Sequence, residues 1–294
     1  MIGLLLLLLF GTWVGGFAPS ALARARWAVR APRAALALWL SLWLAFATAV
    51  AMTVHTLTEP GHLSGPPLTW LARDAERMVE GPTGHRQALL IGALVLASAA
   101  AVVGPAWFRA ARARARHREL LDLVARQEAA EAWWTVEDPR AVAWCVPGRG
   151  GRVILSRGAL ELLDAPQRAA VLAHERAHLS GRHHLPSSAA GALGRALPRL
   201  PLARAAAEQI PVLIEMAADD RALRHSAPHT LATALCAVAT AATPPGTLAA
   251  GHLATAQRVR RLLPVHPLPR PLRTAYCLLA LALPTVPVLL ACGP

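Results

Sequence analysis

The chain has 294 residues, 55% of them apolar, with a mean hydropathy of +0.39 and a formal charge of +13. Those values exclude a simple soluble domain and read as an integral membrane protein carrying a modest soluble part. The four cysteines, Cys145, Cys236, Cys277 and Cys292, form no CxxC pair, so no disulfide framework is implied.

The apolar residues gather in four blocks, Ile2–Phe17, Ala34–Leu57, Gln87–Phe108 and Thr274–Ala291. Each approaches or exceeds the roughly 20 residues that cross a bilayer as a helix. Ala21-Leu-Ala23 after the first block mimics a signal cleavage site, but no positive charge precedes the leucine run and four arginines follow it. The first block therefore reads as a retained helix. The expected membrane region is residues 1–108, with spans at 2–19, 34–57 and 87–108, and a fourth span occupies 274–294.

Arginines orient these helices. Arg24, Arg26, Arg30 and Arg33 fill the first connection, and Arg109, Arg112, Arg114, Arg116 and Arg118 follow the third block. The stretch Thr58–Arg86 is poor in arginine and holds Glu59, Asp74, Glu76 and Glu80. By the positive-inside rule both termini lie outside and residues 109–273 form a cytoplasmic domain. Membrane anchoring accounts for the basic excess, and no direct nucleic-acid partner is expected.

Within that domain, Arg109–Ala132 repeats Leu120, Leu121, Val124 and Ala125 at helical spacing, a charged helix leaving the membrane. Trp133–Val146 alternates and is rich in β-formers. Pro147-Gly-Arg-Gly-Gly151 is a turn by composition, and Arg152-Val-Ile-Leu-Ser156 is a short buried strand, so a hairpin is expected. An extended substrate can add to such a sheet edge as a further strand. A short helix, Gly158–Leu163, follows.

The next segment, Val171-Leu-Ala-His-Glu-Arg-Ala-His178, contains the frame His-Glu-x-x-His. Residues four apart share a helical face, so His174 and His178 can reach one metal ion. Glu175, rotated by about 100°, can address a water there as general base. Asp164-Ala-Pro-Gln167 supplies an N-cap, a first-turn proline and a glutamine three residues on, and Gly181 is a natural stop.

A zinc site of this type takes a third protein ligand and keeps the fourth position for water. Two residues compete for that place. His184 fits the longer pattern HExxHxxGxxH through Gly181. Glu215, in Ile214-Glu-Met-Ala-Ala-Asp-Asp220, shares a helical face with Asp219, which could orient a histidine ligand from behind.

Leu185–Ala207 is broken by Pro186, Pro198 and Pro201 and reads as an amphipathic stretch lying at the membrane surface or as a loosely packed connector. Pro211 suits the first turn of the helix carrying Glu215 and Asp219. Ala227–Thr243 is an alanine-rich core helix. Peptide hydrolysis passes through an oxyanion that needs a donor, and His252 and Arg258 on the last cytoplasmic helix have the chemistry for it.

Three membrane helices, a cytoplasmic His-Glu-x-x-His domain and a returning helix together resemble the BlaR/MecR-type antirepressor membrane metallopeptidases. More distantly the chain is similar to the HtpX/Ste24-type membrane peptidases. The stretches that carry this are Val153–Leu160, Ala170–His178, Glu215–Asp219 and the His252/Arg258 pair. The resemblance implies that Glu215 is the third zinc ligand, with His174, His178 and Zn2+, and that Asp219 stands behind. It also implies a protein substrate, a transcriptional repressor among the candidates, in a signalling pathway. Two features depart from the pattern: there is no lysine and hence no SxxK serine of a penicillin-recognising domain, and Leu253 stands where the Ste24-type pattern has proline.

The expectation is thus a mainly α membrane protein with four transmembrane helices and an α+β zinc-endopeptidase domain facing the cytoplasm. Its rival is a non-catalytic membrane signalling or scaffold protein that keeps a metal-stabilised peptidase fold.

Overall fold

The computed structural model describes residues 2–58, 82–127, 133–148, 150–241, 250–262 and 268–291. The chain divides into two compact units, one of residues 1–106, 190–209 and 268–294, the other of 107–189 and 210–267.

The first unit holds three helices that, among the described residues, are long and apolar enough to cross a membrane: Ile2–Ala23, Pro32–Leu57 and Arg270–Ala291. The first is α1 (Ile2–Thr12) continued through a π-helical turn, Trp13–Phe17, into α2 (Ala18–Ala23). Pro19 lacks the N–H that would close the ordinary ladder, and π-turns gather where that ladder is interrupted. Gly15 in the turn is the point of close approach, since a Cβ there would stand 2.8 Å from the Phe46 ring. That ring belongs to α3 (Pro32–Thr58), whose Trp39 and Ala45 are buried.

The last of the three is broken at its prolines into α11 (Arg270–Ala282), a 3-10 turn at Leu283–Thr285, and α12 (Val286–Ala291). Pro284 cannot donate to the carbonyl of Ala280, four residues back. The hydroxyl of Ser41 on α3 donates to that carbonyl instead, at 2.6 Å. In a hydrocarbon setting a freed backbone carbonyl needs such a partner, so the kink and the serine form one feature.

The third span expected from the sequence, 87–108, falls inside α4 (Pro82–Val124), a single helix of 43 residues. It runs about 65 Å at 1.5 Å per residue. The charged helix expected after the membrane is therefore the continuation of the same helix. Arginine and alanine are both strong helix formers, so nothing in the sequence stops it at Phe108. Most side chains of 87–98 lie outside the described residues, as do 59–81 and Arg149.

The second unit is α+β. Four short strands, β1 (Arg126–Gln127), β2 (Trp134–Val136), β3 (Ala143–Val146) and β4 (Arg152–Ser156), form one sheet in the order β1-β2-β4-β3. β3 and β4 make the expected antiparallel hairpin, with Cys145 opposite Val153. The alternating stretch before it does not stay one strand. It splits at Asp138-Pro139-Arg140, where Asp138 Oδ1 accepts the Arg140 N–H at 2.9 Å and turns the chain. β2 then lies parallel to β4, on the side away from β3.

Period-two alternation gives the sheet two apolar faces. Val153 and Leu155 pack with Val171, Leu172 and Ala234, whereas Ile154 packs with Leu121, Val136 and Val146. At the end of β4, buried Ser156 accepts from the N–H groups of Val142 and Ala159 and donates to the Arg140 carbonyl. It thereby caps α5 (Arg157–Leu162). Gly158 is obligatory beside it, because a Cβ would meet the Pro139 carbonyl oxygen at 2.1 Å.

Five further helices follow in the chain, α6 (Ala165–Ser180), α7 (His184–Ala196), α8 (Pro201–Ala222), α9 (Pro228–Ala241) and α10 (Ala250–Leu262), of which α6 packs on β3 and β4. The capping box read from the sequence is present on α6, with Asp164 and Gln167 satisfying each other's backbone N–H. One start is corrected: α8 begins at Pro201 and Pro211 sits inside it, not in its first turn. Pro201 already occupies the preorganised N-terminal position. The helix buries Leu202, Ala203, Ala206, Ile210 and Leu213 along one side, a stripe that continues through the proline.

Candidate metal centre

Three helices supply the site. α6 brings His174, Glu175 and His178; α8 brings Glu215 and Asp219; α10 brings Arg258. The two histidines stand on the inner face of α6, as spacing of four requires. Their Nε2 atoms are 3.0 Å apart. Glu215 faces both rings, with Oε2 at 3.4 Å from His174 Nε2 and Oε1 at 3.4 Å from His178 Nε2. Among the described residues this trio is the one group of three potential ligands close enough to share an ion.

These separations match a zinc site. Tetrahedral bonds of about 2.0–2.1 Å place ligand atoms about 3.3–3.4 Å apart. Two nitrogen donors and one carboxylate are also the donor set of many catalytic zinc sites. His184, the alternative third ligand, begins α7 and lines the cavity but is not in the trio.

Behind the trio the charges are held firmly. Asp219 is fully buried, and its Oδ1 lies 3.0 Å from His174 Nδ1. Arg258 grips Asp219 with two parallel bonds, Nε to Oδ2 at 2.8 Å and Nη2 to Oδ1 at 2.6 Å. Its Nη1 reaches Glu215 at 3.0 Å. One turn on, Arg261 pairs with Asp220, so α10 clasps α8 through two arginines. The sequence suggested Arg258 as an oxyanion donor; here its guanidinium reaches Asp219, Glu215 and, at 3.4 Å, Nε2 of His174. His252 lies on α10, with its side chain outside the described residues.

Electrostatics follow from this packing. Burial works to lower the His174 pKa, but Asp219 and Glu215 outweigh it and lift it to about 9. Burial dominates at His178 and pushes it down to about 4. Glu215 and Asp219, despite burial, are held at about 2 by His174 and Arg258. Without a metal, then, the pocket draws a proton onto His174. A site that concentrates negative charge in this way suits a cation, whose binding would displace that proton.

Glu175 points into the same cavity, about 700 Å³ in volume, beside His174, His178, Glu215, Arg258 and Cys145. Burial raises its carboxyl pKa above the ordinary glutamate value. Cys145, on edge strand β3, has its thiol in hydrogen-bond range of Glu175, and burial together with that carboxylate pushes it up to about 12. Sequence reasoning missed this residue; a strand's alternation shows two faces but not which one meets a helix 30 residues away.

His183 was missed as well. Its Nδ1 lies 3.1 Å from Nδ1 of His178, with the rings edge to face. A continuing helix would swing position 183 away from 178. Instead Arg182 takes a left-handed conformation, φ 49°, and returns the chain.

No curated protein and no solved structure matches the chain. A family comparison does, over the stretch that contains the sheet, α6 and the His-Glu-x-x-His frame, but ends before Glu215, Asp219 and Arg258. Residues 109–210 match the model described as peptidase family M48, and this supports a metallopeptidase of that family in broad terms.

Proposed function

We propose that the protein is a membrane-embedded zinc endopeptidase whose active site is formed by His174, Glu175, His178 and Glu215. The observation that carries this is the meeting of two helices, α6 and α8, at three ligand atoms spaced for one metal ion, with Glu175 in the adjoining cavity. Bound zinc would supply Lewis acidity and a lowered pKa for its water. Glu175 takes the proton from the attacking water and returns it to the leaving amine. Asp219 holds the His174 ring, and Arg258 holds Asp219 and Glu215. Ala143, Trp144 and Cys145 of edge strand β3 line the cavity, so an extended substrate segment can pair along that edge.

In this reading helix α4 contributes the third of four spans, residues 87–108, and the peptidase unit faces the cytoplasm. The substrate is a cytoplasmic or membrane protein, with a transcriptional repressor among the candidates suggested by the resemblance. The experiment is hydrolysis of β-casein by the purified protein in detergent. Cleavage abolished by a zinc chelator and restored by added zinc is the expected result; cleavage indifferent to chelation rules the reading out.

Reporter fusions test the orientation. A reporter at Arg149 is expected to be active only inside the cell, and reporters at Ser64 and Pro294 only outside. The reverse pattern would move the substrates to the other side of the membrane.

A further inference from the structure

The two histidines of the centre have different supports. His174 has its distal nitrogen, Nδ1, 3.0 Å from the Asp219 carboxylate. His178 has its own distal nitrogen 3.1 Å from Nδ1 of a third histidine, His183. The Nε2 atoms of both rings face each other and Glu215.

An imidazole that offers Nε2 as a ligand carries its proton on Nδ1, and that N–H needs an acceptor. His183 can be one, because its Nδ1 is an acceptor in the tautomer that carries the proton on Nε2. We propose that His183 is the positioning residue of His178: it accepts the Nδ1–H of His178, fixes that tautomer, and holds the ring with Nε2 toward Glu215. This rests on the metal-centre reading above.

The backbone is shaped for the contact. Helix α6 ends at Ser180, and the His183 N–H returns to the carbonyl of His178 at 3.1 Å. Arg182 makes the left-handed turn that allows this, a conformation that L side chains rarely adopt. Gly181 is not the left-handed residue, its φ being −79°. Its requirement is steric: a Cβ there would lie 2.2 Å from Nε2 of His183. Glycine at 181 and the strained arginine at 182 thus serve one end, a ring seated across the last turn of α6 against His178.

The support is an imidazole, where Asp219 is a carboxylate. It fixes the orientation of His178 without adding negative charge, so the anionic charge around the trio stays with Glu215 and Asp219. Loss of such an outer hydrogen bond lowers metal affinity about 10–100-fold while leaving the ligands in place.

The test uses full-length protein in detergent, zinc affinity by chelator competition, and the visible spectrum of the cobalt(II)-loaded protein. His183→Phe keeps a ring but removes the acceptor, whereas His183→Asn places an oxygen near the position of Nδ1. Zinc affinity is expected to fall about 10–100-fold in His183→Phe, with a shifted cobalt spectrum, and to recover to within several-fold of wild type in His183→Asn. Gly181→Ala displaces the ring without altering either histidine and is expected to resemble His183→Phe, which covers the case in which the phenylalanine variant does not fold. Wild-type affinity and spectrum in whichever of these two variants folds would overturn the proposal, as would an asparagine variant no better than phenylalanine. His178→Ala is the control for the underlying reading: zinc bound as tightly as in wild type there removes the metal centre itself, an outcome distinct from a failure of His183 alone.

Discussion

Replacing Glu175 with glutamine is expected to abolish peptide hydrolysis while leaving zinc bound. Glutamine matches glutamate in shape but cannot accept a proton, so the change removes one chemical capacity and little else. The geometry favours Glu175 as the proposed base: Glu215 is engaged by both histidines and Arg258, and Asp219 is enclosed behind His174. Glu175 alone among these carboxyls has its pKa raised, through burial, whereas Glu215 and Asp219 are held at about 2. A carboxylate whose pKa is raised is the stronger base toward a water beside it. General-base catalysis contributes about 10²–10⁴-fold, and a loss of that size in kcat on a quenched peptide or casein is anticipated. Zinc per mole of protein, measured on the same preparations, should be unchanged. If the variant hydrolyses substrate as fast as wild type, the chain is not a hydrolase of this kind, and the metal-stabilised scaffold reading takes its place.

The second expected result separates the ligands. Glu215→Ala should empty the centre, Asp219→Ala should weaken zinc binding, and His184→Ala should leave it nearly unchanged. Glu215 presents one oxygen to each ligating nitrogen at 3.4 Å, so its loss removes a donor and a negative charge together. Asp219 touches His174 only at the distal nitrogen, and losses of that kind cost about 10–100-fold in affinity. Its removal also strands Arg258 as a buried cation without its bidentate partner. Breaking a buried pair costs about 3–5 kcal/mol, so Asp219→Ala should also melt earlier, while Asp219→Asn keeps the shape and isolates the charge. Metal content by atomic spectroscopy, with thermal melts in parallel, distinguishes the three. Zinc retained by Glu215→Ala and lost from His184→Ala would transfer the third position to the longer HExxHxxGxxH pattern.

What the sequence by itself determined is local. The pairing of Asp164 with Gln167, the stacking of His174 and His178 on one helical face, and the β3–β4 hairpin depend on groups a few residues apart, within reach of spacing rules. Hydropathy likewise marked four apolar blocks, and three of them are, among the described residues, helices long and apolar enough to cross a membrane. The length of α4 and the start of α8 escaped because proline and arginine tolerate more than one helical position, and packing chooses among them.

Only the tertiary structure decided which distant residues meet. Glu215 and Asp219 come to α6 from another helix, and Arg258 comes from a third. Spacing along the chain carries no information about such encounters, since they arise when apolar stripes of separate helices bury one another. The parallel pairing of β2 with β4 has the same origin. His183 is the clearest case. Five residues after His178 it belongs on another side of any helix, and one left-handed residue, Arg182, sets it against the ring that a helix would have turned it from.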